Sequence, residues 1–134
     1  MPEHDPSHWL FRLNADEWLA SADNELRLAQ QAFLAKQQRP AVAHARRAAG
    51  MALNALLWGA PDDSYGRSYM DHLAAFSKDP AVPAELRAAA GRLIALPMTQ
   101  QLVTLGPRGD AQQADPAEHI LQYVRGIIAP KQRA

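Results

Sequence analysis

The chain has 134 residues and a mass of 14.7 kDa, which is the usual size of one domain and is long enough to bury a core without a disulfide or metal. Fourteen basic and fourteen acidic residues leave no net charge, which argues against a general electrostatic affinity for nucleic acid or anionic lipid. The absence of cysteine excludes disulfide bonds, thiolate metal sites and cysteine nucleophiles.

The balance of residue types favours helix. Twenty-seven residues are Ala and sixteen are Leu, whereas Val, Ile and Thr together number ten. Ala and Leu lose little entropy in a helix, and β-branched residues prefer strands. No apolar run approaches the roughly 20 residues of a membrane span, and the start of the chain lacks the cationic region of a signal peptide. We therefore expect an all-α protein that has no membrane contact and is cytoplasmic.

The first predicted helix begins after Asn14, because Asn14 and Glu17 have the spacing of a capping box. Apolar residues then recur every three or four positions, which keeps one face toward a partner helix. This stripe consists of Ala15, Leu19, Ala22, Leu26, Ala29 and Phe33. Trp18, Leu28 and Leu34 lie off the stripe and indicate a second contact surface, which a partner or the upstream residues 9–13 could cover.

The second predicted helix opens with Pro40 at its first position and ends at Gly59. The link from the first helix is short, so the two helices should form an antiparallel hairpin. A turn at 62–66 is followed by a helix at 67–77 and a helix from Pro83 to Pro97. Next come a packed segment at 98–105, which favours helix over strand, and a flexible polar loop at 106–114. The last helix begins at Asp115, and its apolar stripe consists of Ile120, Val124, Ile127 and Ile128.

These elements predict an up-and-down bundle of four or five helices. We expect a single domain at 15–129, preceded by a segment at 1–14 that docks on the bundle through its apolar residues and followed by a polar tail at 130–134. No internal repeat or second domain is indicated.

Few motifs in the chain suggest chemistry. His4 and His8 have the spacing of helical metal ligands, but Pro6 between them discourages a helix, so we expect no metal and no cofactor. The sequence contains no Gly-x-Ser-x-Gly and no glycine-rich phosphate loop.

One basic face could bind a ligand. Arg39, Arg46 and Arg47 lie on the polar side of the second helix, with His44 among them. Arginine offers a planar fork that matches a phosphate, so these four residues are candidate ligand-binding residues. A solvated helix surface accounts for the same pattern.

Three segments in order are similar to the HEPN domain superfamily of small helical bundles. They are residues 15–29 (ADEWLASADNELRLA), residues 43–57 (AHARRAAGMALNALL) and residues 68–76 (SYMDHLAAF). The chain departs from the family at Gly50 and Asn54, where the family often has Glu and Lys. It also lacks the Arg-Tyr-Pro motif that small bacterial members carry before the last helix.

The resemblance implies a HEPN-like bundle that acts as a non-catalytic dimerising or partner-binding module. It implies a homodimer or a nucleotidyltransferase partner protein, with a nucleotide or RNA as the alternative ligand. The alternative is a toxin-like, metal-independent endoribonuclease, because some family members cleave RNA with an Arg-x(4–6)-His motif. Arg67 and His72 are the preferred catalytic pair, since a turn precedes them, and Arg39 and His44 are the second match. In such a pair the histidine would transfer a proton and the arginine would stabilise the charged phosphorane.

Overall fold

The computed structural model describes residues 12–98 and 109–132. Every regular element in these residues is a helix, so the prediction of an all-α bundle is confirmed. The α-helices are α1 (Ala15–Leu34), α2 (Gln38–Gly59), α3 (Tyr69–Lys78), α4 (Ala84–Ala95) and α5 (Asp115–Gln132). Short 3-10 helices at Asp63–Tyr65 and Gly109–Ala114 precede α3 and α5. No helix in the described ranges is long and apolar enough to cross a lipid bilayer.

α1 begins where the capping box predicted. The Asn14 side chain accepts a hydrogen bond of 2.8 Å from the Glu17 backbone N–H, and the Glu17 carboxylate accepts one of 2.9 Å from the Asn14 N–H. All six residues of the predicted stripe are buried. Off the stripe, Trp18 is buried, Leu28 is half-buried and Leu34 is 61% exposed, so the second face is only partly covered.

α1 and α2 form the predicted antiparallel hairpin. Three residues separate the helices, and Ala15 at the start of α1 lies beside Trp58 at the end of α2. α2 ends at Gly59 as predicted but begins at Gln38, two residues early. The reason is that Pro40 fits anywhere in the first turn, where backbone N–H groups have no intrahelical acceptor. Close packing of the hairpin buries the small residues Ala41, Ala45, Ala48, Ala49 and Ala52 completely.

α5 packs along both helices of the hairpin. At one end of the bundle the Gln38 amide donates hydrogen bonds of 2.8 Å to the Gln113 side chain and to the Pro97 carbonyl. At the other end Ile128 lies close to Ala15. α5 therefore runs antiparallel to α1 and parallel to α2. Its predicted stripe is buried at Ile120, Val124 and Ile128 and half-buried at Ile127.

α3 packs on α2 and on α4, and α4 packs on α5. Ser68 caps α3: its hydroxyl accepts a hydrogen bond of 3.0 Å from the Asp71 N–H, and the Asp71 carboxylate accepts one from the Ser68 N–H. Arg67, predicted to lie inside this helix, therefore precedes it. At the other end of α3, the Tyr65 hydroxyl donates a hydrogen bond of 2.8 Å to Asp79 and ties the helix to the preceding turn.

The prediction of a flexible loop at 106–114 is wrong for residues 109–114. Residues Gly109–Ala114 form a 3-10 helix that packs against α1 and leads directly into α5, and Ala114 is fully buried. Contact with α1 orders this polar stretch, and such a tertiary contact leaves no local signal in the sequence.

Two other predictions fall mostly outside the described residues. Of the docked segment at 1–14 only residues 12–14 are described, and of the packed segment at 98–105 only Met98 is. At the C-terminal end, α5 continues to Gln132, three residues beyond the predicted end of the domain.

Candidate functional site

One group of ionisable side chains joins three helices. We name it the Glu25 cluster, and it consists of Glu25 from α1, His44 and Arg47 from α2, and Tyr69 from α3. His44 and Arg47 belong to the basic face that the sequence indicated. Glu25 and Tyr69 are additions that only the packing of the helices reveals.

The Glu25 carboxylate is the centre of this cluster. Its Oε2 atom lies 2.5 Å from His44 Nδ1, and Arg47 Nη1 lies 3.3 Å from Oε1 and 3.4 Å from Oε2. Only 13% of the Glu25 side chain is exposed. Glu25 follows Ala22 by three positions and precedes Ala29 by four, so it borders the buried stripe of α1 and faces α2 across the hairpin.

The contact with an ionised Glu25 carboxylate fixes the tautomer of the neutral His44 ring. An ionised carboxylate only accepts hydrogen bonds, so Nδ1 of His44 carries the hydrogen. The other ring nitrogen, Nε2, lies on the opposite edge of the ring from Glu25. It is an acceptor when the ring is neutral and a donor when the ring is protonated. The His44 side chain is 26% exposed to solvent.

Arg47 keeps hydrogen-bonding capacity beyond its pair with Glu25. Both of its bonds to the carboxylate are long, and they use one of the guanidinium nitrogens. A guanidinium has five N–H groups in a planar fork. With 42% of its side chain exposed, Arg47 can turn its remaining N–H groups toward an anion in solvent.

Tyr69 completes the cluster from α3. Tyr69 sits over Gly50 of α2. A Cβ atom added to Gly50 would come within 2.5 Å of the Cβ and Cγ atoms of Tyr69. Burial raises the pKa of Tyr69; the Arg47 charge lowers it in part, and the Glu25 charge raises it further. Its hydroxyl therefore keeps its proton at neutral pH and is a neutral donor.

This arrangement supports two kinds of chemistry. The Arg47 fork, together with Nε2 of His44 when the ring is protonated, can hold an anionic oxygen. The Glu25–His44 pair is also the arrangement in which a carboxylate orients an imidazole for proton transfer. Since the charges of Glu25 and Arg47 offset each other, the ligand must be recognised by directed hydrogen bonds rather than by a strong field.

The other two residues of the predicted basic face lie apart from the cluster. Arg39 is exposed in the first turn of α2. The assignment of Arg46 to the ligand-binding face is corrected, because its guanidinium donates hydrogen bonds of 2.9 Å to the carbonyls of Leu93 and Ile94 at the end of α4. Those bonds give Arg46 a structural role, because the carbonyls of the last helical turn lack the donor that a following turn would supply.

The predicted catalytic pair does not form an accessible site. Arg67 is exposed, but His72 is fully buried in the core, and its Nδ1 donates a hydrogen bond of 2.8 Å to the Tyr65 carbonyl. A catalytic histidine must come within hydrogen-bond reach of the proton it moves. An RNA phosphate has no such access to His72 in this fold, so the assignment of His72 to catalysis is corrected.

The burial of His72 predicts a pH-dependent stability. Burial lowers its pKa below the ordinary 6.5, while the hydrogen bond to Tyr65 and the nearby Asp71 carboxylate oppose this shift. Below pH 6.5 the unfolded chain binds a proton at this position that the folded chain resists. The free energy of unfolding should therefore be at full value above pH 6.5 and should fall as the pH drops toward the lowered value.

Urea unfolding between pH 5 and 8 measures this effect in the wild type and in His72→Asn. Asparagine can still donate to the Tyr65 carbonyl but does not titrate. We expect the variant to lose part of the wild-type decline below pH 6.5. Equal declines in the two proteins would show that His72 is not the residue responsible.

Other potential sites are less well formed. The ranges 12–98 and 109–132 contain no group of three or more His, Asp or Glu residues that could hold a metal ion, and His4 and His8 lie outside those ranges. An open groove of about 500 Å³ between α4 and α5 includes Glu85, Arg92 and His119. A smaller cleft of about 240 Å³ lies where α1 begins and α2 ends, and its lining is apolar.

Comparison with known proteins adds no relative: the chain matches no protein-family model, no curated protein and no solved structure. The similarity to HEPN domains therefore stays a prediction that depends on the three sequence segments.

Proposed function

We propose that this chain is a non-catalytic helical-bundle module that binds a nucleotide through its phosphate at the Glu25 cluster. The observation that carries the proposal is the pair of side chains one turn apart on α2. The part-buried carboxylate of Glu25 contacts both Arg47 and His44, and both side chains are partly exposed to solvent. Charge-assisted hydrogen bonds from such preorganised donors are the strong ones in phosphate recognition.

Isothermal titration calorimetry with ADP at low salt tests the proposal. Hydrogen bonds to charged groups contribute about 1.5–3 kcal/mol, so Arg47→Ala should raise the Kd about tenfold or more. His44→Ala should weaken binding in the same direction.

The matched control is Arg27→Ala, which removes an exposed arginine of α1 that bonds to Asn24. Arg39→Ala serves as a second control on α2 itself. Both should bind ADP like the wild type. A wild type that does not bind ADP would contradict the proposal, and so would equal losses in all the arginine variants, because equal losses indicate only a diffuse charge effect.

The implied partners can be tested at the same time. The family resemblance supports a homodimer and a nucleotidyltransferase partner in addition to a nucleotide. Native mass spectrometry of protein purified gently from its own host distinguishes these: twice the chain mass supports the homodimer, a second protein supports the partner, and a nucleotide-sized adduct supports the ligand. A bare monomer would count against all three.

A second candidate function is metal-independent RNA cleavage, favoured by the 2.5 Å contact between Glu25 and His44. The reactive histidine would then be His44, with Arg47 beside the phosphate, because His72 is buried. Incubation of RNA with the pure protein in EDTA tests it. We expect no cleavage. Cleavage that disappears in His44→Ala would establish the enzyme, and cleavage that persists in that variant would come from another site or a contaminant.

A further inference from the structure

The two nitrogens of the His44 ring have different surroundings. Nδ1 lies 2.5 Å from the Glu25 carboxylate, so its hydrogen is engaged with α1. Among the described residues Nε2 has no hydrogen-bond partner, and it is not one of the unpaired side-chain atoms that the core encloses, so it is open to solvent. In the neutral ring this second nitrogen carries a lone pair and accepts hydrogen bonds. Neutral His44 therefore presents an acceptor to any ligand of the Glu25 cluster.

A phosphate oxygen is also an acceptor, so it does not match the neutral ring. A terminal phosphate has a second pKa of about 6 and is mostly a dianion above pH 7. Two lone pairs that face each other repel, and neither group supplies the hydrogen for a bond. One proton added to Nε2 turns this contact into a charge-assisted hydrogen bond.

A bound anion also changes the balance of charge around the ring. Glu25 from α1 is a counterion for a protonated His44, whereas Arg47 on α2 has a like charge and lies 3.3 Å from the same carboxylate. Tyr69 from α3 stays neutral, because burial raises its pKa. The charges of Glu25 and Arg47 offset each other in the unliganded protein. A bound phosphate adds the negative charge that stabilises the protonated ring.

We infer that phosphate binding at the Glu25 cluster takes up one proton from solvent onto Nε2 of His44. This coupling rests on the proposed function and adds regulation to it, because the protein then binds phosphate ligands more tightly as the pH falls. By linkage, each of the two, proton and phosphate, increases the affinity for the other. Recognition by arginine alone gives the opposite trend, since a phosphate gains negative charge as the pH rises.

Isothermal titration calorimetry with ADP between pH 7 and 8, where the terminal phosphate is mostly ionised, tests the coupling. We expect the Kd to rise several-fold across this interval, to a limit of about tenfold per pH unit for one proton. At pH 7.5 the binding heats in Tris and HEPES should differ in proportion to the protons taken up. A Kd that is constant or falls with pH, or equal heats in the two buffers, would overturn the inference.

His44→Gln is the matched variant. The glutamine amide keeps an N–H donor in this part of the cluster but does not take up a proton. We expect the variant to bind ADP without the buffer-dependent heat and without the rise in Kd between pH 7 and 8. Proton uptake that persists in His44→Gln would overturn the assignment to His44, because the proton would then reside on another group.

Nitrogen NMR of the wild type detects the proton on the ring directly and needs no variant. On saturation with ADP at pH 7.5, both ring nitrogens of His44 should move to the narrow range of an imidazolium. An Nε2 signal that keeps the position of an acceptor in the ADP complex would overturn the coupling and leave the proposed function intact. Absence of ADP binding at every pH would contradict the proposed function and the coupling together.

Discussion

Replacing Gly50 with alanine should destabilise the protein by about 2 kcal/mol, which is typical of an overpacked core. Elsewhere in a helix the same substitution stabilises, because glycine costs about 0.5–1 kcal/mol relative to alanine. At Gly50 the added Cβ would lie 2.5 Å from both Cβ and Cγ of Tyr69, and the Tyr69 Cβ atom cannot move away without shifting α3. Urea unfolding followed by circular dichroism measures the loss.

Gly91→Ala is the matched control for this substitution. Gly91 lies inside α4 and an added Cβ meets nothing within 4 Å, so this variant should be slightly more stable than the wild type. In a Tyr69→Gly background Gly50→Ala should lose most of its cost, since both the Cβ and the Cγ atoms of residue 69 are removed. A Gly50→Ala protein as stable as Gly91→Ala would contradict the described contact between α2 and α3.

Replacing Arg46 with methionine should also cost about 2 kcal/mol, because hydrogen bonds from a charged group contribute about 1.5–3 kcal/mol. The guanidinium of Arg46 satisfies carbonyls at the end of α4 and places a positive charge where the helix dipole is negative. Methionine retains much of the apolar stem but supplies no donor. Lysine should recover only part of the loss, since a point charge cannot fork between two carbonyls.

The control for Arg46→Met is Arg39→Met on the same helix. Arg39 is exposed, and surface substitutions of this kind usually change stability by less than about 0.5 kcal/mol. Hydrogen exchange provides a local readout: the amides of the last turn of α4 should exchange faster in Arg46→Met than in Arg39→Met. Equal stability and equal exchange in the two variants would show that Arg46 does not hold α4.

The sequence predicted local features well. The capping box at Asn14 and the apolar stripe of α1 depend on residues three or four apart, and both are confirmed. The first residue of a helix is predicted less precisely. Pro40 was expected to open α2, which begins two residues earlier at Gln38, because proline is compatible with several positions in a first turn.

The roles of polar residues were harder to predict, because their partners are distant in the chain. Glu25 is 19 residues from His44, and the acceptors of Arg46 lie 47 and 48 residues further along. A helical pattern does not distinguish a buried histidine from an accessible one, so it does not reveal that His72 lies in the core. The sequence does contain one signal for the role of Glu25. This acidic residue borders the apolar stripe of α1, and the second helix of the hairpin carries basic residues along the border of its own stripe, so an ion pair between the two helices is favoured.

The proposed recognition of phosphate by His44 and Arg47 is tested most directly by NMR of protein with labelled imidazole and guanidinium nitrogens. On titration with ADP we expect the ring nitrogens of His44 and the Nε–H of Arg47 to shift together with a single Kd. The Arg46 Nε–H, which is bonded to Leu93, should not move. Shifts confined to Arg92 and His119 in the groove between α4 and α5, or no shifts at all, would contradict phosphate recognition at the Glu25 cluster.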